Sequence, residues 1–124
     1  MRLFLILGAI LGGLSVACGA FASHALKAHL SPRSLEIFET GARYQMYHAL
    51  ALLIVGLLFY QLSDSSAWLT ISGWAFTVGI LLFSGSLYAL SLSGIGWLGA
   101  ITPVGGLAFL VGWSCLAIAS FRSS

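Results

Sequence analysis

Long uncharged blocks alternate with short polar ones along the chain. Residues 3–23 contain no Lys, Arg, Asp, Glu or His, residues 44–63 contain only His48, and residues 65–121 contain none. A helix needs about 20 apolar residues to cross the hydrocarbon core of a bilayer, so the first two blocks predict one span each, at about 3–23 and 44–62. The third block, as one helix, would run about 85 Å and must turn back once. Ser91-Leu92-Ser93-Gly94-Ile95-Gly96 is the natural turn, which divides the block into spans at about 68–90 and 97–120. Ser63-Asp64-Ser65-Ser66 forms the tight polar link between the second and third spans.

The one substantial polar stretch, residues 24–43, holds His24, Lys27, His29, Arg33, Glu36, Glu39 and Arg43. Ser31-Pro32 reads as a helix start, with Ser at the N-cap and Pro at the first helical position. Leu35, Phe38 and Ala42 then fall on one helical face, with Arg33, Glu36, Thr40 and Arg43 largely on the others. This pattern predicts a short amphipathic helix lying at the membrane interface, about 32–42. Glu39 precedes Arg43 by four residues, the favourable orientation for a structural ion pair, although Gly41 between them is a potential break. The predicted fold class is therefore all-α: one domain, residues 1–124, built as an integral membrane four-helix bundle with a short interfacial helix between spans one and two.

Composition narrows the class further. The chain is 60% hydrophobic and 6% charged, against about 25% charged for an ordinary soluble domain, which no water-soluble fold of this size can hide. A net charge of +2 with no basic run excludes nucleic-acid binding. Cys18 and Cys115 fall inside predicted spans at unlike depths and behave there as small apolar residues rather than as a disulfide or metal pair. Met1-Arg2 and Ala17-Cys18-Gly19 resemble a secretory signal, but the charged start is minimal and the spacing before Cys18 is off by one, so the first span is expected to stay. Gly8, Gly12, Ser15 and Gly19 place small residues at four-residue spacing, the mark of a packing helix.

With four spans, the loops after spans one and three lie on the same side of the membrane. That connectivity gathers His24, Arg43, Tyr44, Gln45, His48, Ser84, Ser86, Tyr88 and Thr102 at one mouth of the bundle, as candidate ligand-binding residues, with Pro103 beside them as a kink. The opposite mouth offers little beyond Tyr60, Asp64 and Trp68. Each candidate also has a structural role open to it: Tyr44 and Tyr47 as an interfacial belt, His48 bonded to a neighbouring hydroxyl, and Ser84, Ser86 and Thr102 satisfying a kinked helix. His24 and His48, without a carboxylate or Cys at suitable spacing, do not make a metal or haem site, so no metal or cofactor is expected. No nucleophile beside a base, phosphate-binding glycine loop or carboxylate pair is present, so no catalytic residue is assigned.

Four separated stretches resemble a known family of small membrane proteins: Gly19-Ala20-Phe21-Ala22-Ser23-His24-Ala25-Leu26, Thr40 to Leu52 (TGARYQMYHALAL), Phe83-Ser84-Gly85-Ser86-Leu87-Tyr88, and Thr102-Pro103-Val104-Gly105-Gly106. The family is the Domain of Unknown Function 423 family, which also includes transmembrane-protein-256-like proteins of eukaryotes. The resemblance implies a four-span protein of the bacterial plasma (inner) membrane with both termini cytoplasmic, and it brings no activity. Counting Lys and Arg does not orient the chain, because Lys27, Arg33 and Arg43 on one side balance Arg2, Arg122 and the terminal amine on the other.

The functional expectation is a non-enzymatic accessory or scaffold protein, embedded in the lipid bilayer and packing against a copy of itself or another membrane protein. The alternative is a small-molecule, lipid or ion binder or carrier using the polar mouth. An enzyme acting on a lipid-like or quinone substrate would need a proton-transfer group, for which only His24 or His48 could serve.

Overall fold

A computed structural model describes residues 2–122. The described residues form helices and turns, with no strand among them. Helix α1 is Arg2–His24, α2 is Pro32–Leu58, α3 is Ser66–Gly79, α4 is Gly85–Ser93 and α5 is Thr102–Arg122. A π-helical turn, Ile80–Ser84, joins α3 to α4 without a break, and short 3-10 turns fill the links. Among the described residues, three helical segments are long and apolar enough to cross a membrane: Arg2–Ala28, Ser63–Ser93 and Gly96–Arg122. Helix α2 is not among them; its first half carries Arg33, Glu36, Glu39, Arg43, Gln45 and His48.

Two expectations are corrected in the backbone. The separate interfacial helix at 32–42 is instead the first part of α2, which runs unbroken for 27 residues. It begins as read: Ser31 Oγ accepts the Ser34 N–H at 3.1 Å, with Pro32 in the first turn. Gly41 does not end it, because the Tyr88 ring lies against that glycine, where an added Cβ would stand 2.9 Å from the ring. The second correction concerns Pro103, which kinks nothing. It lies in the first turn of α5, where a missing backbone N–H has no helical partner to lose. The chain reverses before it as expected: Gly94 takes φ 72°, a left-handed conformation that glycine adopts without strain, and its N–H closes on the Leu90 carbonyl at 2.8 Å.

The helices pair as α1 on α2 and α3 on α5, with α2 also resting on α3, on the π turn and on α4. Phe4, Leu52, Val55, Leu69 and Phe76 are buried to 0% exposure at the centre. A smaller cluster of Ala22, Leu26 and Phe38 joins the end of α1 to the start of α2, with the rings of Phe38 and Tyr88 4.8 Å apart. Glycines make this packing close. Phe4 covers Gly73, Phe109 covers Gly79 and Phe76 covers Gly112, each where a Cβ would overlap the ring. Along α1, a Cβ at Gly8 would stand 2.9 Å from the Ala49 carbonyl oxygen, and one at Gly12 3.7 Å from the Ala49 Cβ, but one at Gly19 would meet nothing within 4 Å. The outside is as apolar as the inside: Ile10, Leu14, Val16, Leu57, Leu81, Leu107 and Leu110 are all exposed. Such a surface suits lipid, because patches this extensive are rare on soluble monomers.

Candidate functional site

Most polar side chains of the predicted mouth meet, and each finds a partner on a neighbouring element. Gln45, buried on α2, donates from Nε2 to the Leu11 carbonyl of α1 at 2.8 Å and accepts the Tyr88 hydroxyl of α4 on Oε1 at 2.6 Å. One amide thus ties three helices. Ser15 of α1 donates to the Ala42 carbonyl at 2.6 Å, while Ser84 of the π turn donates to the Gly41 carbonyl at 2.7 Å. These successive carbonyls are held from two elements while α2 continues through them, which the second lone pair of a carbonyl allows. Ser86 and Thr102 share a hydrogen bond of 2.6 Å between α4 and α5. Ser86 also lies 2.9 Å from the Phe83 carbonyl, so where its one proton goes there, Thr102 is the donor between the hydroxyls.

His48 lies on α2 one turn beyond Tyr44. Its Nδ1 is 2.7 Å from the Tyr44 carbonyl, and its Nε2 is 3.1 Å from the indole nitrogen of Trp113 on α5. An indole N–H only donates, so Nε2 is the acceptor and the ring proton is on Nδ1, donated to Tyr44. The imidazole is stacked on Phe109, centroids 3.5 Å apart and planes 5° apart, with Phe76 at 5.6 Å. Both nitrogens are engaged, which leaves no lone pair for a metal. Among the described residues no three His, Cys, Asp or Glu side chains converge, and no buried side-chain polar atom is without a hydrogen bond.

Three predicted site residues lie apart from this network. His24, at the end of α1, is exposed and joins none of these bonds. Arg43 donates to Thr40 Oγ1 at 3.1 Å, and among the described residues no ion pair joins it to Glu39; the hydroxyl one turn back lies within closer reach of the guanidinium than the carboxylate does. Arg43 and Glu39 line a hollow of about 360 Å³ between α1 and α2, beside Gly19 and Ser23. Tyr44 faces the other side of α2, its ring 4.7 Å from Phe83 and 5.4 Å from Tyr47.

On that other side an open furrow follows the seam between α2 and α5. Its deeper part, about 440 Å³, is lined by Tyr44, His48, Phe83, Phe109 and Trp113, and its upper part, about 300 Å³, by Arg33, Glu36, Thr40, Leu87 and Thr102, with Phe83 common to both. Trp113 and Phe109 were not singled out by sequence reasoning. Their four-residue spacing on α5 marks one helical face, but nothing local says that His48 meets it.

Residues 18–106 match the family described as protein of unknown function DUF423. The chain belongs to that family. It is similar to a UPF0382 membrane protein of Staphylococcus haemolyticus, 45% identical over 122 residues, and to the UPF0382 membrane protein YwdK of Bacillus subtilis, also 45% identical over 122 residues. Each alignment covers 98% of both chains. A relative from Staphylococcus aureus is 46% identical over the same length. No solved structure matches. The family match and three long apolar helices make this a multi-pass membrane protein.

Proposed function

We propose that this protein is a non-enzymatic, four-span component of the plasma membrane that acts through association in the membrane plane, with itself or with another membrane protein. Helix α2 supplies the fourth span. Its 27 residues reach about 40 Å, enough to cross with its charged first turns at the surface. Both termini are then on one side, the cytoplasm by resemblance to the family. The observation that carries the functional reading is the engagement of the polar network. Gln45, His48, Ser84, Ser86, Tyr88 and Thr102 hold helices to one another, which leaves none of them free to move a proton or take a metal. The apolar outside is then the largest surface left for contact with other membrane proteins. Native mass spectrometry after gentle release from the membrane tests this: an oligomer or a stoichiometric membrane partner is expected, and a monodisperse monomer would overturn it.

A second reading, a lipid or small-molecule binder, is favoured by one observation, the furrow beside His48 and Tyr44. In this reading Tyr44 and His48 act as furrow lining, and Gln45 and Tyr88 only hold its walls.

A further inference from the structure

Helices α2 and α5 make no extended contact, because the π turn and the start of α4 stand between them as a floor. Arg33, Glu36, Thr40, Tyr44 and His48 fall on one face of α2, and Thr102, Gly106, Phe109 and Trp113 on one face of α5, so the two hollows lie end to end along the seam with Phe83 lining both. Its two halves differ in chemistry. The upper half holds opposite charges three residues apart on one helix, and among the described residues Arg33 and Glu36 form no ion pair with each other or with another side chain. Both halves present mostly apolar surface, and the lower one is lined by aromatic rings.

The length identifies the occupant. Fifteen residues separate Arg33 from His48, about 22 Å along the helix, which equals the depth of one leaflet with its headgroup, half of about 40–45 Å. A groove whose walls are apolar along its length, with the exposed Arg33 and Glu36 at its upper edge and aromatic rings in its lower part, matches an amphiphile that fills one leaflet. The charges identify the head. A guanidinium binds a phosphate through paired N–H donors, and a carboxylate one turn along, about 5–6 Å away at Cβ, accepts from a primary ammonium. A purely anionic head would meet the Glu36 carboxylate at close range, and a trimethylated head has no N–H to give it.

We infer that the α2–α5 furrow is a binding site for a glycerophospholipid with a phosphoethanolamine head, Arg33 holding the phosphate and Glu36 the ammonium, with one acyl chain laid against Phe83, Phe109 and Trp113. The inference rests on the reading that α2 crosses the bilayer with its first turns at the surface, and it is independent of whether the protein forms oligomers. Gly106 keeps the furrow open: a Cβ there would meet no atom within 4 Å, so a side chain at this position enters the furrow without displacing protein.

The test is native mass spectrometry of the full chain in mild detergent, titrated with phosphatidylethanolamine, phosphatidylglycerol and phosphatidylcholine of identical acyl chains. Wild-type protein is expected to retain phosphatidylethanolamine at about tenfold lower lipid concentration than the other two. R33Q and E36Q should each bring its retention to the phosphatidylcholine level, while E39Q, on the α1–α2 side, should leave it unchanged. G106L should remove retention of all three lipids, and G106A, which fills less, should reduce it, neither with a lowered melting temperature. Equal retention of the three headgroups, a preference that survives R33Q and E36Q, or one lost in E39Q would overturn the inference. The same spectra give subunit number, so failure of the association proposal is seen separately from failure of the lipid site. Cysteine labelling at position 36 from outside the membrane reports on the surface placement of α2.

Discussion

Helix α2 is flanked by two seams that use the same residue type to opposite ends. Against α1, Gly8 brings the backbones so close that a Cβ would press on the Ala49 carbonyl, and Ser15 and Gln45 stitch the contact with hydrogen bonds. Against α5, Gly106 faces open space, and the His48 ring, stacked on Phe109 and bonded to Trp113, spans the gap. The difference comes from what fills the interval. Small residues let α1 reach α2, whereas the π turn holds α5 away, and where helices cannot meet in a membrane a lipid or another helix must. A seam closed by backbone approach is rigid, while one bridged by a single aromatic pair can admit a ligand without unfolding.

The comparison breaks most sharply at the adjacent glycines of α5. A Cβ at Gly105 would overlap the backbone of Phe83, which has no flexible end to move aside. Gly105→Ala is therefore expected to destabilise by roughly 3 kcal/mol, the upper end for overpacking, seen as a large fall in melting temperature in detergent. If G105A melts like wild type, the closeness of α5 to the π turn is wrong. Gln45→Leu removes two inter-helix bonds and takes the Gln45 acceptor from the Tyr88 hydroxyl, while the Leu11 carbonyl keeps its place in the α1 helix, at a cost of about 1–3 kcal/mol. Tyr88→Phe combined with it should cost less than the two single changes summed, and strict additivity in a double-mutant cycle would show that the pair is not coupled.

On the open seam the effects are smaller. Trp113→Phe keeps the ring but loses the donor to His48, about 0.6 kcal/mol by the average for such bonds in membranes. Nitrogen NMR of His48 sharpens the point: wild type should show the proton on Nδ1 and an unprotonated, hydrogen-bonded Nε2, and W113F should shift Nε2 alone. A wild-type spectrum with the proton on Nε2 would contradict the indole bond. Gly106→Ala should stabilise slightly, by up to about 1 kcal/mol, since alanine is the better helix former and meets nothing.

Features that depend on neighbours along the chain were legible in the residues. The uncharged blocks, the Ser31-Pro32 start and the reversal at Gly94 each follow from local chemistry, and all recur in the fold. The meeting of Gln45 with Tyr88, and of Ser86 with Thr102, follows from connectivity, because loops on one side bring those helix ends together. Direction around a helix axis was not legible. Whether Arg43 turns to Thr40 or to Glu39 depends on side-chain geometry that spacing along the chain does not encode, and the Tyr88 ring resting on Gly41 comes from another helix.

Hydropathy and connectivity, properties of the chain, therefore determined by themselves that this is a helical membrane protein whose polar residues gather near one end. Only the tertiary structure decided that those residues face one another as fasteners, that His48 pairs with Trp113 sixty-five positions away, and that one seam of α2 is closed and the other open. Those outcomes turn on side-chain volume at helix contacts, where a single hydrogen in place of a methyl group changes the approach by more than the length of a hydrogen bond tolerates, and no periodicity along the chain records it.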